Sequence, residues 1–305
     1  MSTKYKNIVV TGSHRSGSTW IGKVISTNKK VDVIMEPFNL NLNKVERLKR
    51  PKLNHWFLKI DKNSLNNDIT NAQKLINYYI NFKLTTFPFH CFKTYENHSF
   101  IQSFIKRLKK SLRPVKMFKD PIALFSIPWL AKEFDMLPIV IIRHPAAFAL
   151  SIKEKNWWFD FDNLLNQPHF FEGELAHLKE EVTAYKSSKK KEDIITNAAL
   201  IWKVIYTQVA YYQSIYPQWL YVKHEALSLN PVVEFQKIFD YIGLELNSKT
   251  VDYIKKSTQS KEELEHARNS KENAYKWENK LSNQEIEKVL CITKPVYELF
   301  YKPEL

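Results

Sequence analysis

The most restrictive feature of the chain is an apolar segment that leads directly into a glycine-containing loop. Residues 7–11 read Asn-Ile-Val-Val-Thr, and the next residues have the spacing Gly12-x-x-x-x-Gly17-x-Thr19. This spacing is that of the loop with which many α/β proteins bind nucleoside triphosphates, where a strand, a glycine loop and a helix follow one another. It predicts a β-strand before Gly12 and a helix that begins near Ser18.

One position of this loop departs from the triphosphate-binding pattern. Ser18 stands where that pattern has a lysine that reaches the β- and γ-phosphates, and Arg15 lies inside the loop instead. Backbone N–H groups at a helix N-terminus bind phosphate or sulfate without such a lysine. The loop is therefore expected to bind an anion, but not a triphosphate that is cleaved with magnesium. The chain has only 5 glycines, and two of them lie here, which strengthens the prediction.

Apolar segments alternate with helical patterns along the rest of the chain. Strands are predicted at 31–35, 114–120, 138–142 and 219–222, a short extended segment at 89–93, and helices at 19–26, 71–82, 99–112, 122–134, 146–155, 172–186, 192–215, 231–241 and 282–289. The alternation predicts an α/β fold in which helices flank a central parallel sheet. Without an internal repeat or a low-complexity linker, residues 1–305 are expected to form a single domain.

Ligands bind to such sheets at the carboxyl ends of the strands. Four polar residues are predicted to lie there, each on a different strand: Thr11, Glu36, Lys119 and Arg143. They are therefore expected to converge on one crevice.

Composition limits the partners and the environment of the chain. A net charge of +14 favours anionic partners such as nucleotides, polysaccharides or a membrane surface, to which peripheral contact is expected. No basic motif of a nucleic-acid-binding fold occurs, so no nucleic-acid partner is expected. Cys91 and Cys291 are too far apart to suggest a disulfide scaffold or a metal site. Because neither a signal-peptide pattern nor a long apolar run occurs, a cytoplasmic protein is expected.

A second anion-binding pair is predicted after the strand at 138–142. Arg143 ends that strand, and Ser151 lies eight residues later in a helix that returns it to the strand end. A guanidinium and a hydroxyl together suit a phosphate monoester. The Arg-His-Pro sequence at 143–145 also fits an ordinary ion pair at the end of a strand. The prediction that Arg143 and Ser151 bind an anion therefore depends on the presence of the loop at residues 12–19.

Together the two patterns resemble those of the sulfotransferases that use 3′-phosphoadenosine 5′-phosphosulfate (PAPS). The first loop of that family reads Arg-Ser-Gly-Thr/Ser-Thr, and the chain matches it with Arg15, Ser16, Gly17, Ser18 and Thr19, followed by Trp20. The resemblance implies a P-loop-like sulfotransferase fold of bacterial type and no metal. It implies that the loop binds the 5′-phosphosulfate, and that Arg143 and Ser151 bind the 3′-phosphate of PAPS and of its product, 3′,5′-ADP.

Other segments extend the resemblance over most of the chain. The Lys-Asp-Pro sequence at 119–121 resembles an element of the carbohydrate and tyrosyl-protein branches, and residues 219–244 resemble the late strand–helix unit of the family. Residues 270–281 resemble its C-terminal loop, which covers the cofactor. The resemblance thus implies that Ser270 and Lys276 contact the donor.

The resemblance also implies the catalytic groups. In those two branches a glutamate at the end of the second strand is the general base, and Glu36 matches it. Such a base is required because an acceptor hydroxyl must lose its proton as it attacks sulfur. Lys119 and Arg15 are expected to stabilise the charge that develops on the leaving 5′-phosphate. The branch features favour a hydroxyl of a carbohydrate or glycolipid as the acceptor.

Several alternatives stay open at this point. A P-loop nucleotide kinase or NTPase would depend on ATP and magnesium, and a non-catalytic basic module would bind polyanions in a salt-dependent way. The histidine base of the small-molecule branch has no convincing match: His90 and His98 flank Lys93 and Thr94, and His14, inside the loop, is a weaker candidate. The aromatic run at 157–161 fits the wall of an acceptor site and a core equally well.

Overall fold

The computed structural model describes residues 6–41, 51–81, 108–188, 193–259 and 270–301. In these residues five parallel strands form one sheet in the order β2-β3-β1-β4-β5. The strands are β1 (Asn7–Gly12), β2 (Val31–Met35), β3 (Val115–Lys119), β4 (Met136–Ile142) and β5 (Leu220–Lys223). The predicted α/β class and central parallel sheet are confirmed.

Helices connect the strands and cover both faces of the sheet. They are α1 (Ser18–Ile25), α2 (Asn66–Ile80), α3 (Ile127–Phe134), α4 (Pro145–Lys153), α5 (Asp162–Leu165), α6 (Lys179–Ser187), α7 (Ile194–Ile215), α8 (His224–Leu229), α9 (Pro231–Tyr241), α10 (Ser248–Gln259), α11 (Ser270–Tyr275), α12 (Trp277–Lys280) and α13 (Asn283–Phe300). Two 3-10 helices lie at Pro121–Ser126 and Gly173–Leu178. Within the described ranges, no helix is both long and apolar enough to span a membrane.

The sheet separates two apolar cores because successive strand residues point to opposite faces. In β1, Val9 packs in one core with Phe118 and Val140, whereas Ile8 and Val10 pack in the other. Burial on both faces is typical of parallel sheets, and it explains why the predicted strands are almost continuously apolar. The edge at which the strands end is left for polar side chains.

Several predicted boundaries were wrong. The predicted helix at 122–134 divides into the 3-10 turn at Pro121–Ser126 and α3, since the buried Asp120 carboxylate accepts the Ile122 N–H and caps the 3-10 turn. The helix predicted at 282–289 continues through Pro295 to Phe300, because Val296 and Phe300 pack in the larger core.

Some elements were missed and some predictions are not tested. The helices α8 and α10 were not predicted, and α2 begins at Asn66, before the predicted start at residue 71. The predicted extended segment at 89–93 and most of the predicted helix at 99–112 lie outside the described residues.

Candidate active site

A cavity of about 720 Å³ opens where the five strands end. Its wall contains the loop after β1, together with Glu36 after β2, Lys119 at the end of β3, Arg143 after β4 and His224 after β5. Three of the four strand-end residues expected to converge therefore share one cavity. The fourth, Thr11, is fully buried and does not contribute to the described wall.

The loop between β1 and α1 requires glycine at two positions. Gly12 has φ 148°, and a Cβ on it would lie 2.5 Å from the Ile141 carbonyl oxygen. Gly17 has φ 97°, and a Cβ on it would lie 2.6 Å from the His224 ring. Because Gly17 precedes α1 directly, the N-terminal N–H groups of that helix lie at the end of the loop, where they favour an anion.

The two predicted anion-binding segments are in direct contact. One Arg143 Nη donates to the carbonyl oxygen of Arg15, and Arg15 Nε donates to Ser151 Oγ at 2.9 Å. Burial lowers the pKa of Arg143, while the Glu225 carboxylate opposes that shift. Arginine nevertheless stays charged in proteins, so two positively charged guanidinium groups lie close together here. The arrangement suits an anionic ligand.

Glu36 and Lys119 form an ion pair at the ends of β2 and β3. The Glu36 carboxylate accepts from Lys119 Nζ and, at 2.9 Å, from Asn39 Nδ2. The main chains are joined as well, since the Glu36 N–H donates to the Lys119 carbonyl at 2.9 Å. The Lys119 side chain is 3% exposed, but that of Glu36 is 31% exposed and lines the cavity. The carboxylate can therefore take a proton from a group bound in the cavity.

Asp120 supports the turn that carries Glu36. It is fully buried, and its two carboxylate oxygens accept the Phe38 N–H at 2.6 Å and the Ile122 N–H at 3.0 Å. Asp120 thus ties the chain after β2 to the chain after β3. Burial raises the pKa of Asp120 to about 7, although both backbone hydrogen bonds lower it.

The charge of the cavity wall is mostly positive. Its cations are Arg15, Lys23, Lys119, Arg143, Lys155 and Lys256. Among the described lining residues, Glu36 is the one carboxylate. Such a wall favours a ligand with several negative charges. In the part of the chain that is described, no group of three or more His, Cys, Asp or Glu side chains is placed to hold a metal ion.

The aromatic run at 157–161 divides between the cavity and the core. Trp157 and Trp56 both line the cavity, with ring centroids 6.1 Å apart, whereas Phe159 and Phe161 are buried in the larger core. The Trp157 ring also packs edge-on against His14, with centroids 4.0 Å apart. Burial lowers the pKa of His14 well below its usual value, so its imidazole is neutral at physiological pH.

The other predicted donor-binding residues take different positions. Gly17, Ser18, Thr19 and Trp20 line the cavity, and Ser16 is fully buried. Lys276 pairs with Glu154, just after α4, and is not among the described lining residues. Ser270 begins α11, but its side chain lies outside the described part of the structure.

Three helices add wall residues that sequence reasoning missed. They are His224 and Ser228 on α8, Tyr253, Lys256 and Ser257 on α10, and Asn273 on α11. Ser257 Oγ accepts from Trp20 Nε1 at 3.1 Å, which joins α10 to α1. The available signal for α10 was weak: Thr250 and Ile254, four residues apart, are fully buried, and its other apolar residues, Val251 and Tyr253, are only partly buried.

The chain is similar to known sulfotransferases in sequence pattern and in fold. A model of the sulfotransferase family matches residues 7–248, and a search of curated proteins found no match. Similar solved structures include the sulfotransferase domain from the curacin biosynthetic pathway, with 14% identity over 95% of this chain and 98% of that chain and a TM-score of 0.49.

Two further solved structures are similar at the same level. The sulfotransferase domain of the Synechococcus PCC 7002 olefin synthase has 12% identity over 99% of both chains and a TM-score of 0.47. Sulfotransferase STF9 from Mycobacterium avium has 14% identity over 100% of this chain and 79% of its own, with a TM-score of 0.43. Because the family model spans 7–248, which includes the five described strands and the residues that end them, the chain belongs to the sulfotransferase family and is an enzyme that transfers a sulfuryl group.

Proposed function

We propose that the enzyme takes the sulfuryl group from PAPS and transfers it to a hydroxyl of a carbohydrate or glycolipid. The observation that carries the donor proposal is the contact between the Arg15 loop and Arg143. PAPS bears anionic groups on both sides of its ribose, so it needs two cationic sites within the length of one nucleotide. Two segments that are 128 residues apart in the sequence supply such sites side by side.

The residues present fit this donor. Among its described residues the cavity wall has six cations against one carboxylate, in keeping with a ligand that carries a phosphate and a phosphosulfate. Arg143 Nε is buried and has no hydrogen-bond partner among the described residues. An unpaired buried donor costs about 1–3 kcal/mol, a cost that an acceptor oxygen of a ligand would remove.

Each predicted donor contact keeps its role in this proposal. The 5′-phosphosulfate is assigned to the N-terminus of α1 and to the loop residues Arg15, Ser16, Gly17, Ser18, Thr19 and Trp20. The 3′-phosphate is assigned to Arg143 and Ser151. Contacts from Ser270 and Lys276 require Lys276 to leave Glu154, since the two are paired in this structure.

In the chemical step, Glu36 takes the proton of the acceptor hydroxyl as its oxygen attacks sulfur. The new oxygen–sulfur bond forms while the bond from sulfur to the 5′-phosphate oxygen breaks, and the negative charge passes to that phosphate. Lys119 and Arg15 stabilise this charge electrostatically. Protonation of Glu36 weakens its ion pair with Lys119, which makes the ammonium group available when the leaving phosphate needs it.

The acceptor proposal rests on the other wall of the cavity. Trp56 and Trp157 present aromatic surface beside the polar Asn39, which is hydrogen-bonded to Glu36. Sugars stack on aromatic faces, so this wall suits a ring with several hydroxyl groups. The net charge of +14 supports peripheral contact with an anionic membrane surface, where a glycolipid would be presented.

Ligand-dependent melting tests the donor. We expect 3′,5′-ADP to stabilise the protein by about 2.7 kcal/mol at a hundredfold excess over its Kd, and ATP with magnesium to stabilise it less. The Arg143→Ala variant should lose the 3′,5′-ADP effect. Arg113→Ala is the matched control, because Arg113 binds the Val31 carbonyl at the opposite end of the sheet. Equal or greater stabilisation by ATP with magnesium would favour a nucleotide kinase or NTPase.

A further inference from the structure

Both backbone polar groups of Arg143 are bound by side chains of α7. Tyr206 Oη accepts the Arg143 N–H at 3.0 Å, and Trp202 Nε1 donates to the Arg143 carbonyl at 2.9 Å. The two aromatic residues are four positions apart on one helix face, and their ring centroids are 4.5 Å apart. Because Arg143 lies just beyond the end of β4, these side chains hold a peptide unit that follows the strand pairing.

The same tyrosine hydroxyl also reaches the loop after β1. Tyr206 Oη lies 3.0 Å from Ser13 Oγ and donates to the Ile141 carbonyl at 3.2 Å. A tyrosine hydroxyl has one hydrogen and two lone pairs. If the hydrogen is used on Ile141, then Ser13 and the Arg143 N–H donate to the lone pairs. The buried Tyr206 hydroxyl thus uses its hydrogen and both of its lone pairs in bonds that join the loop to the end of β4.

These bonds differ from those that join the same two segments on the cavity side. There the Arg143 guanidinium binds the Arg15 carbonyl, and the Arg15 guanidinium binds Ser151. These guanidiniums are the groups that an anion would engage, so these bonds can be rearranged when a ligand binds. The bonds of Tyr206 lie behind the wall, and Tyr206 is not among the described lining residues. They can therefore persist when a ligand is bound.

We propose that Tyr206 is a positioning residue, which aligns the Arg15 loop with Arg143 so that one nucleotide is held at both of its anionic ends. This inference rests on the proposed donor. It adds that the Tyr206 hydroxyl sets the distance between the Arg15 loop and Arg143. When one phosphate is bound, the second contact becomes intramolecular, and its benefit depends on how well the second site is placed. Loss of alignment should therefore weaken a ligand with two phosphates more than a ligand with one.

The test compares three nucleotides by calorimetry on the wild-type protein and Tyr206→Phe. The substitution removes the hydroxyl and keeps the ring that packs on Trp202. We expect the affinity for 3′,5′-ADP to fall about tenfold, the equivalent of about 1.4 kcal/mol. The affinities for 3′-AMP and 5′-AMP should each fall less than about threefold. A merely structural role would reduce all three affinities by one common factor.

Tyr212→Phe is the matched control. Tyr212 is buried on the same helix and packs against Tyr216 and Trp219, and it is not among the described residues of the cavity wall. Its variant should bind all three nucleotides as the wild type does. If Tyr206→Phe does not fold, Ser13→Ala removes the loop-side bond alone and should show the same ranking of ligands with a smaller loss.

The outcomes separate this inference from the donor proposal. Wild-type protein that binds 3′,5′-ADP no more tightly than either AMP would reject the donor and the alignment together. Wild-type protein that prefers 3′,5′-ADP, combined with a Tyr206→Phe variant that retains this preference in full, would overturn the alignment alone.

Discussion

Two lysine–carboxylate pairs join β2 to β3, one at each end of these strands. At the amino end, Lys116 Nζ lies 3.3 Å from Asp32 and also donates to the Ser111 carbonyl at 2.6 Å. The side chains of this pair are 9% and 1% exposed, so the pair is closed to solvent. At the carboxyl end, Lys119 is equally buried, but its partner Glu36 opens into the cavity. The two pairs have the same chemistry and different access.

The difference shows that access, and not residue type, separates the structural pair from the candidate catalytic one. A closed pair is a fixed contact between two strands, and each charge depends on the other. In the open pair, a buried cation stands behind a carboxylate that a ligand can reach, and the low dielectric strengthens their interaction. The direction of the strands causes the asymmetry, because the carboxyl ends of parallel strands meet the loops that form the cavity.

The largest expected effect is that of Glu36→Gln. Since an amide cannot take the acceptor proton, kcat should fall by about 10²–10⁴-fold, the range for loss of a general base. The amide oxygen can still accept from Lys119 and no predicted donor contact is removed, so the affinity for 3′,5′-ADP should not fall by more than about twofold. Steady-state assays with PAPS and carbohydrate acceptors measure kcat, and calorimetry measures the affinity. A variant with wild-type kcat would remove Glu36 from the mechanism.

The opposite result is expected from Asp32→Asn at the amino end. Neutralising Asp32 removes the carboxylate that Lys116 Nζ contacts at 3.3 Å, and breaking a buried pair in this way costs about 3–5 kcal/mol of unfolding free energy. The kcat of the folded protein should change less than about twofold. Chemical denaturation and steady-state assays on one preparation check both statements. A large fall in kcat without a fall in stability would mean that the two ends are not independent.

The smallest expected effect comes from pH, and it arises at the carboxyl edge. Burial lowers the pKa of His144 to about 4, that of His224 to about 3, and that of His14 well below its usual value. In the unfolded state each histidine has a pKa of about 6.5. The folded state therefore has its full stability above that pH and loses stability as the pH falls below it, because only the unfolded state takes up the protons. Asp120 acts in the opposite direction, because its pKa is raised to about 7 and the folded state holds its proton where the unfolded state does not.

On unfolding, the three histidines take up protons and Asp120 releases one, so between about pH 4.5 and 5.5 the unfolded state binds about two protons more than the folded state. The unfolding free energy should therefore fall by about 3 kcal/mol between pH 7 and pH 5. Denaturation series at pH 5, 6 and 7 measure this slope. Asp120→Asn should make the slope steeper, because it removes the opposing group. A flat profile over this range would contradict the neutral, buried state of the histidines.

The residues that end the strands could be predicted well from the sequence. Arg15, Glu36, Lys119 and Arg143 each follow or end an apolar segment, and a parallel sheet places such residues at one edge. The structure indeed brings all four to one cavity. The prediction that Thr11 lines the same crevice was wrong, because its side chain is fully buried.

The opposite wall and the supporting layer could not be predicted in this way. Tyr206 and Trp202 read as core positions of a long apolar helix, and nothing in their spacing indicates that they bind the backbone of Arg143. Lys256 and Ser257 belong to a polar segment whose helix was missed. These contacts depend on how helices pack across the sheet, which the local pattern of residues does not specify.

The order of residues along the chain was sufficient to predict the class of fold, the anion loop and the edge at which the site lies. A strand, a glycine loop and a helix follow one another there within some twenty residues. Packing between distant segments was needed to bring Arg143 against the Arg15 loop, to open Glu36 to the cavity and to close Asp32 away from solvent. The reason is that the identity of a residue fixes the chemistry of its side chain, whereas the access of that side chain to ligand and solvent depends on neighbours that lie far away in the sequence.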